Sequence, residues 1–305
     1  MISDEILFKM AVRSRQAYAE KMAEDREKAE VPLVRAEAVQ LDTSAGKTPV
    51  ILYRPVHSDA TEPLPVFVDI HGGGFIQGSP ADDDPWCRRI VSAVGCAVVS
   101  IDYHLAPEYR FPVALYECYD VVKWVYDQAN IQGFDSRRIA IGGHSAGGNL
   151  TAAITLLARE RREFSLIFQV LNYPVLDFVT DPYQKTTQDT LLTAKAQSFF
   201  SACYLGDAAA RNNPLASPLL TDSFAGLPPA LVIAAEYDPL QTENRRYAEA
   251  LAAAGVPVTY RMFAGCMHAF THFGPAAAAN EAWGLIQAQL RQTFWGKGEN
   301  PDGSR

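Results

Sequence analysis

Gly143-His144-Ser145-Ala146-Gly147 is the stretch of this 305-residue chain that decides the fold. The apolar run before it, Arg138 to Ile141, is typical of a buried strand, and the Ala- and Leu-rich residues from Ala146 to Ala158 are typical of a helix. A serine between a strand and a helix lies on a sharp turn, where larger flanking side chains would collide. The pattern predicts a nucleophile elbow, which lifts the Ser145 hydroxyl out of a sheet into an open site.

A second glycine-rich motif, His71-Gly72-Gly73-Gly74, lies upstream and follows the apolar run from Pro65 to Ile70. Three successive glycines let the backbone turn so that bare N–H groups can face a developing negative charge on oxygen. Either motif alone could be an ordinary glycine-rich turn. Their order and spacing together predict a serine hydrolase.

Composition and charge exclude several other classes of protein. The net charge of −8 and the pI near 5.3 argue against binding to nucleic acid or to an anionic membrane. The chain opens with acidic Asp4 and Glu5, where a signal peptide would carry basic residues, and no apolar run approaches the ~18 residues of a spanning helix. We therefore expect a cytoplasmic protein without membrane insertion.

The cysteines and histidines give no pattern of a metal or disulfide site. The five cysteines are scattered, and their odd number is typical of reduced thiols in a cytoplasmic protein. No group of His, Cys and Asp has metal-ligand spacing, and no glycine pattern predicts a bound phosphate or dinucleotide. The sequence thus predicts neither a metal nor a cofactor.

From Val66 onward, apolar runs alternate with helical segments. This rhythm predicts an α/β fold, with a mostly parallel central sheet covered by helices on both faces. The first two strand candidates, Val34–Leu41 and Val50–Tyr53, predict an antiparallel pair. The other strand candidates are Val66–Ile70, Ala97–Asp102, Arg138–Ile141, Leu166–Asn172, Ala230–Ala235 and Val258–Phe263. The helix candidates are Pro85–Ala93, Pro112–Gln128, Ala146–Arg159, Gln241–Ala254 and Ala276–Phe294.

We expect residues 1–305 to form one domain with a helical cap. Within residues 1–30, Ser3–Glu30 has helical periodicity. Residues 177–227 form a long segment without a core strand but with a helical centre, Thr193–Tyr204. These two segments predict a cap over the carboxyl edge of the sheet. The polar tail, residues 296–305, is expected to be flexible.

An activated serine needs a histidine base, and the base needs a carboxylate that holds its tautomer. In α/β-hydrolases the chain order is serine, acid, histidine, each on a loop after a strand. Asp238 follows the strand ending at Ala235, and His268 follows the strand ending at Phe263. Both loops belong at the carboxyl edge of the sheet, where Ser145 is expected.

Each of these two positions has rivals. Glu236 stands at the end of its strand and Glu243 lies in a predicted helix, so Asp238 is the preferred acid. His272 lies four residues beyond His268 and is the alternative base, whereas His57 and His104 precede the serine and are expected to be structural or surface residues.

Several motifs in the right order make the resemblance close enough to name. The chain resembles the bacterial hormone-sensitive-lipase family of esterases, within the α/β-hydrolase superfamily, over roughly residues 30–295. The motifs that carry the resemblance are His71-Gly72-Gly73-Gly74-Phe75, Asp102-Tyr103-His104-Leu105-Ala106-Pro107-Glu108, Gly143-His144-Ser145-Ala146-Gly147-Gly148-Asn149, Pro214-Leu215-Ala216-Ser217-Pro218, Asp238-Pro239-Leu240, Gly255-Val256-Pro257-Val258 and His268-Ala269-Phe270.

The resemblance implies a serine carboxylesterase acting on short-chain acyl esters, with no metal or organic cofactor and with a possible homodimer. It makes Ser145 the nucleophile, His268 the general base and acid, and Asp238 the orienting carboxylate. The implied oxyanion hole consists of the N–H groups of Gly73, Gly74 and Ala146. His71 and Glu108 match positions that support the loop.

Two residues depart from the family pattern. The family usually carries Asp at the position of His144 and Gly at the position of Ala269, so any inherited hydrogen bond of the former is in doubt. The latter would be strained if its φ were positive. Positions near the expected cap predict a substrate pocket lined by Phe75, by residues from the segment Tyr173–Phe178, and by Phe199 and Phe200.

The motifs leave three alternatives open. An amidase or peptidase and a lactonase could use the same three catalytic residues. A non-catalytic small-molecule receptor could use the same fold.

Overall fold

The computed structural model describes residues 3–26, 32–56, 62–185 and 188–296. Its centre is an eight-stranded sheet. The strands are β1 (Arg35–Thr43), β2 (Gly46–Arg54), β3 (Leu64–Ile70), β4 (Ala97–Ile101), β5 (Phe134–His144), β6 (Phe168–Asn172), β7 (Ala230–Ala235) and β8 (Val258–Phe263). Their order in the sheet is β1-β2-β4-β3-β5-β6-β7-β8. The first two strands run antiparallel to each other, β2 also runs antiparallel to β4, and all the other pairs are parallel. The predicted fold class is confirmed.

Helices cover both faces of this sheet because its central strands are apolar on both sides. All residues of β4, β6 and β7 are buried, as expected for parallel strands between two helical layers. The helices are α1 (Asp4–Arg26), α2 (Pro80–Val94), α3 (Val113–Asp127), α4 (Ala129–Gln132), α5 (Ala146–Arg161), α6 (Ala194–Leu205), α7 (Gln241–Ala253), α8 (Phe270–Phe273) and α9 (Ala276–Trp295).

Several predicted boundaries were wrong: β2 begins at Gly46 and not at Val50, β5 begins at Phe134 and not at Arg138, and two further differences lie near the site. Helix α2 begins at Pro80 and not at Pro85, because Pro suits the first helical position and the Ser79 N–H donates to the Asp82 carboxylate at 2.9 Å. Strand β5 extends to His144, whereas the prediction ended it at Ile141. Its glycines pair with β6, and a Cβ on Gly142 would lie 2.7 Å from the ring of Phe67.

Helix α1 packs against α6 and α2. In the described part of residues 177–227 there is no strand, and besides α6 this segment forms three short 3₁₀ turns, at Pro182–Gln184, Ala208–Asn212 and Pro218–Leu220. That these two segments act together as a cap stays a prediction. Residues 27–30 of the predicted cap and 297–305 of the predicted tail lie outside the described residues.

The five cysteines are all buried and free, so none forms a disulfide. The described helices include none that is both long and apolar enough to cross a membrane.

Candidate active site

Ser145 lies on the turn between β5 and α5 in a strained backbone conformation, with φ 54° and ψ −113°. The residues two positions before and after it have to be glycines, because the turn packs closely against the end of β3. A Cβ on Gly143 would lie 2.5 Å from the carbonyl oxygen of Ile70, and one on Gly147 only 1.9 Å from it. The strain and the close approach together expose the serine hydroxyl at the carboxyl edge of the sheet.

Ser145, His268 and Asp238 form a continuous hydrogen-bonded chain. Ser145 Oγ lies 2.8 Å from His268 Nε2, and His268 Nδ1 lies 2.8 Å from Asp238 Oδ2. Asp238 follows β7 and His268 follows β8, so two neighbouring parallel strands deliver both side chains to one edge. The second oxygen of Asp238 accepts the N–H of Leu240 at 2.8 Å, which fixes the orientation of the carboxylate.

His268 is a stronger base than a free histidine. Burial would lower its pKa, but the carboxylate of Asp238, helped by those of Asp189 and Glu243, outweighs burial and raises the pKa above its usual value. An imidazole in this setting accepts a proton readily and is stabilised once it carries the charge.

The rival acids have other partners. Glu236 accepts the backbone N–H of Gly265 at 2.7 Å. Glu243 is buried and pairs with Lys185 Nζ at 2.6 Å. Neither of these two carboxylates is hydrogen-bonded to His268, so the structure groups only Asp238 with the imidazole Nδ1.

The rival histidines also have other partners. His272 Nε2 lies 2.7 Å from Asp83 Oδ1, and His104 Nδ1 lies 2.6 Å from Glu117 Oε1. Burial lowers the pKa of His272 to about 4 against the opposing effect of nearby carboxylates. His57 lies outside the described residues.

The carbonyl groups of His71, Gly72 and Gly73 in the glycine-rich loop are anchored. The Tyr103 hydroxyl donates to the His71 carbonyl at 3.1 Å, and His71 Nδ1 donates to the Gly72 carbonyl at 2.7 Å. The Gly73 carbonyl accepts the N–H of Gln77 at 3.2 Å. Since the N–H and C=O of one peptide point in opposite directions, these anchors aim the N–H groups of Gly73 and Gly74 away from the loop.

Three N–H groups beside Ser145 have no acceptor within the described ranges: those of Gly73, Gly74 and Ala146. Ala146 is the first residue of α5, where an N–H has no partner inside its helix. Unpaired N–H groups beside a candidate nucleophile are the donors that an oxyanion requires.

Two cavities meet at Ser145. The first has a volume of about 40 Å³ and is bounded by Gly74, Phe75, Ala146, Phe178, Leu192 and Phe200, among others. The second, of about 190 Å³, is bounded by Tyr18, Lys21, Gly73, Phe200, His268 and Phe273, among others.

Of the predicted pocket residues, Phe75 and Phe178 line the first cavity and Phe200 lines both. Tyr173 lines neither of these two cavities, because its fully buried ring lies edge-on to His268 and its hydroxyl bonds to Thr271. Phe199 also lies outside them and packs beside Phe200 on α6.

Ala269, which replaces the usual glycine, has φ 59° and ψ 24°. This is the left-handed region, which costs a residue with a Cβ about 1–2 kcal/mol. The loop after His268 is therefore strained at this residue.

Arg15 on α1 joins the N-terminal helix to the loops around the site, a contact that the sequence analysis did not predict. Its guanidinium donates to the Ile76 carbonyl at 2.6 Å, to the Ala106 carbonyl at 2.7 Å and to both oxygens of Glu108 at 2.6 and 2.7 Å. Arg15 is separated from these partners by up to 93 residues, so no local pattern could have predicted the contact. Glu108, expected to support the site, is the ion-pair partner of this arginine, and its supporting role stays a prediction.

The described residues contain one group whose atoms are close enough to suggest a metal, namely Asp83, His144 and His272. The two imidazole rings are stacked, with centroids 4.3 Å apart and planes 28° apart. Because a histidine binds a metal in the plane of its ring, two stacked rings do not aim at one ion. The arrangement does not fit a metal site.

The comparisons agree with this fold. The profile of a family described as "alpha/beta hydrolase fold" matches residues 67–272. An arylesterase from Saccharolobus solfataricus is 34% identical over 248 residues, 81% of this chain and 79% of the relative. An ethyl acetate hydrolase from Pseudomonas putida is 34% identical over 259 residues, 83% of this chain and 81% of the relative.

The fold also matches a solved esterase structure. EstE1, a thermophilic and thermostable carboxylesterase cloned from a metagenomic library, superposes with a TM-score of 0.88 and 36% identity, over 93% of this chain and 97% of that chain. The chain therefore belongs to the α/β-hydrolase family, among its esterases of the hormone-sensitive-lipase type, and is a carboxylic ester hydrolase.

Proposed function

We propose that this esterase hydrolyses short-chain acyl esters through an acyl-enzyme on Ser145, with His268 as base and acid and Asp238 as its orienting carboxylate. One observation carries the proposal: the hydrogen-bonded chain from Ser145 through His268 to Asp238, with links of 2.8 Å each. The three N–H groups of Gly73, Gly74 and Ala146 supply the oxyanion hole.

In the first step, Ser145 Oγ attacks the ester carbonyl carbon while His268 Nε2 takes the hydroxyl proton. The carbonyl oxygen becomes negative and accepts hydrogen bonds from the three N–H groups. Collapse of this intermediate breaks the bond to the alcohol oxygen, which leaves with the proton from Nε2. Water then repeats the sequence on the acyl-serine and releases the acid.

The two cavities suggest where each half of the ester binds. The leaving alcohol receives its proton from His268, so it belongs in the larger cavity, which His268 borders. The acyl group then occupies the cavity of about 40 Å³ beside Ala146, where the volume favours chains of few carbons. Relatives named for ethyl acetate and aryl esters fit this division of a small acyl group from a variable alcohol.

The test is hydrolysis of p-nitrophenyl esters from acetate to palmitate by the wild type and by Ser145→Ala. We expect turnover that is highest for the short esters and is lost in the variant. A fluorophosphonate probe should label the wild type at Ser145, whereas Ser165→Ala, which changes an exposed serine, should be labelled and active like the wild type. Undiminished turnover in Ser145→Ala would overturn the mechanism. A preference for palmitate would overturn the acyl assignment.

A short series of lactones and anilides on the same preparation separates the related activities. Amide or lactone turnover above that of the best ester, lost in Ser145→Ala, would keep the mechanism and change the substrate class.

A further inference from the structure

His144, the last residue of β5, contacts the glycine-rich loop directly. Its side chain is buried, and Nε2 lies 2.9 Å from the backbone nitrogen of Gly72. A backbone N–H can only donate, so Nε2 is the unprotonated nitrogen and the ring proton is on Nδ1. This contact joins the residue before the nucleophile to the first glycine of the loop.

The fit between the two residues is close. A Cβ on Gly72 would lie 2.5 Å from Cδ2 of the His144 ring, so only glycine admits the imidazole here. Gly72 precedes Gly73 and Gly74, whose N–H groups are the proposed oxyanion donors. A displacement of Gly72 therefore moves both donors relative to Ser145.

The other ring nitrogen faces a carboxylate. His144 Nδ1 lies 3.7 Å from Asp83 Oδ2, an oxygen that has no hydrogen-bond partner within the described ranges. The other oxygen of Asp83 lies 2.7 Å from His272 Nε2. An acceptor oxygen of the Asp83 carboxyl group on the Nδ1 side favours the proton on that nitrogen, which leaves the Nε2 lone pair to Gly72.

The surroundings also keep the His144 ring uncharged. Burial is the main cause of a pKa well below the usual value, and the neighbouring His272, His71 and His268 lower it further. Facing these histidines is Asp83, whose pKa is raised by burial and by Asp82. The Nε2 lone pair is thus available at neutral pH.

We propose that His144 is a positioning residue. Its Nε2 lone pair accepts the Gly72 N–H, and this contact keeps the N–H groups of Gly73 and Gly74 at the place where the ester oxygen becomes negative. This rests on the proposed function, because the three donors matter only if they bind an oxyanion. His144 itself touches no reacting atom.

A matched pair of variants tests the proposal. Gln places a carbonyl oxygen near the position of Nε2, whereas Met has a similar length and no comparable acceptor, so His144→Gln should rescue what His144→Met loses. Since removal of one oxyanion donor costs about 10²–10³ in kcat, we expect displaced donors to cost roughly 10–10² in His144→Met, with little change in KM. The glutamine variant should stay within about threefold of the wild type.

The control is His104→Met, which removes a histidine paired with the buried Glu117. This variant should lose stability and keep its kcat when assayed well below its Tm. Equal loss of kcat in His144→Gln and His144→Met, or wild-type kcat in His144→Met, would overturn the positioning role. Ser145→Ala, assayed alongside, tests the proposed function separately from the positioning role. An active Ser145→Ala refutes the proposed function itself. If Ser145→Ala is inactive, the two His144 variants decide whether the positioning role is correct.

A measurement on the wild type keeps the test independent of the folding of the variants. In protein labelled with ¹⁵N-histidine, NMR should find Nδ1 of His144 protonated and Nε2 unprotonated from pH 6 to 8. A proton on Nε2 in that range would overturn the proposal.

Discussion

The carboxylate of Asp189 accepts a hydrogen bond of 2.5 Å from the backbone N–H of His268, across 79 residues of sequence. The other oxygen of Asp189 accepts the N–H groups of Leu191 and Leu192 at 2.6 and 2.9 Å. This buried carboxylate thereby joins the segment before α6 to the loop that carries the proposed base. It also contributes to the raised pKa of His268.

We expect Asp189→Asn to move the acid side of the pH–rate profile to lower pH. Only neutral imidazole acts as a base, so the raised pKa of His268 should put half-maximal kcat/KM of the wild type above about pH 6.5. Removing the negative charge of Asp189 makes the imidazolium less stable and lowers this midpoint. The pH dependence of kcat/KM measures both values.

Asp181→Asn is the control for this experiment, because Asp181 is exposed on the same segment and bonds to the N–H of Tyr183. It should leave the midpoint where it is. A midpoint in Asp189→Asn at or above that of the wild type would contradict the electrostatic role.

Lys185→Met should destabilise the protein by about 3–5 kcal/mol, because it leaves Glu243 buried without its cation. Burial, opposed by Lys185, already raises the pKa of Glu243 to about 7, so the carboxylate depends on this partner. Urea unfolding at pH 8 measures the loss. The double variant Lys185→Met/Glu243→Gln should recover a large part of it.

Lys123→Met supplies the comparison, since Lys123 pairs with Asp127 at the surface, where the two side chains are 35% and 45% exposed. Its cost should stay below about 1 kcal/mol. Equal costs in the two lysine variants would show that burial of the pair does not matter.

Gly73→Ala should reduce kcat by at least about 10², because the loop cannot hold a side chain at this residue. Its φ is 112°, and a Cβ would lie 2.0 Å from the Gln77 carbonyl oxygen. Gly284→Ala, in the middle of α9 with open space around the Cβ, should instead keep full activity and gain about 0.5–1 kcal/mol. Steady-state kinetics with thermal unfolding compares them, and wild-type kcat in Gly73→Ala would refute the role of the loop.

Ala269→Gly should stabilise the protein by roughly 0.5–1 kcal/mol. Glycine relieves the left-handed strain of about 1–2 kcal/mol at φ 59°. The greater conformational entropy of the unfolded glycine variant offsets part of this stabilisation. Chemical denaturation measures the difference. A loss of stability would mean that the Ala269 methyl group makes packing contacts worth more than the strain.

The sequence predicted the sheet and its order of elements because local periodicity and glycine motifs carry that information. The strands Ala230–Ala235 and Val258–Phe263 have the predicted bounds, since each is a short apolar run with clear turn residues around it. The structure also brings Ser145, Asp238 and His268 together, as expected from their positions after strands that end at one edge of the sheet.

What the sequence could not predict depends on contacts between distant residues. Asp189 and Arg15 reach the site from segments whose local pattern is that of an ordinary loop and a charged helix face. His144 was recognised as unusual, yet its contact with Gly72 follows only from the packing of β5 beside β3. Hydrophobic periodicity also did not predict the early start of α2, which buries Asp83 beside His144.

The hydrogen bond from Arg15 to the Ile76 carbonyl joins α1 to the loops around the site, and it therefore affects how the enzyme loses activity on denaturation. Leu7, Ala11 and Met22 are buried on α1, but much of the helix is exposed, so we expect it to detach at a lower free energy than the whole protein unfolds. Turnover should then disappear at a urea concentration where tryptophan fluorescence and circular dichroism still report a native sheet. Activity would then be lost at milder conditions than the fold, because it depends on the attachment of the first helix.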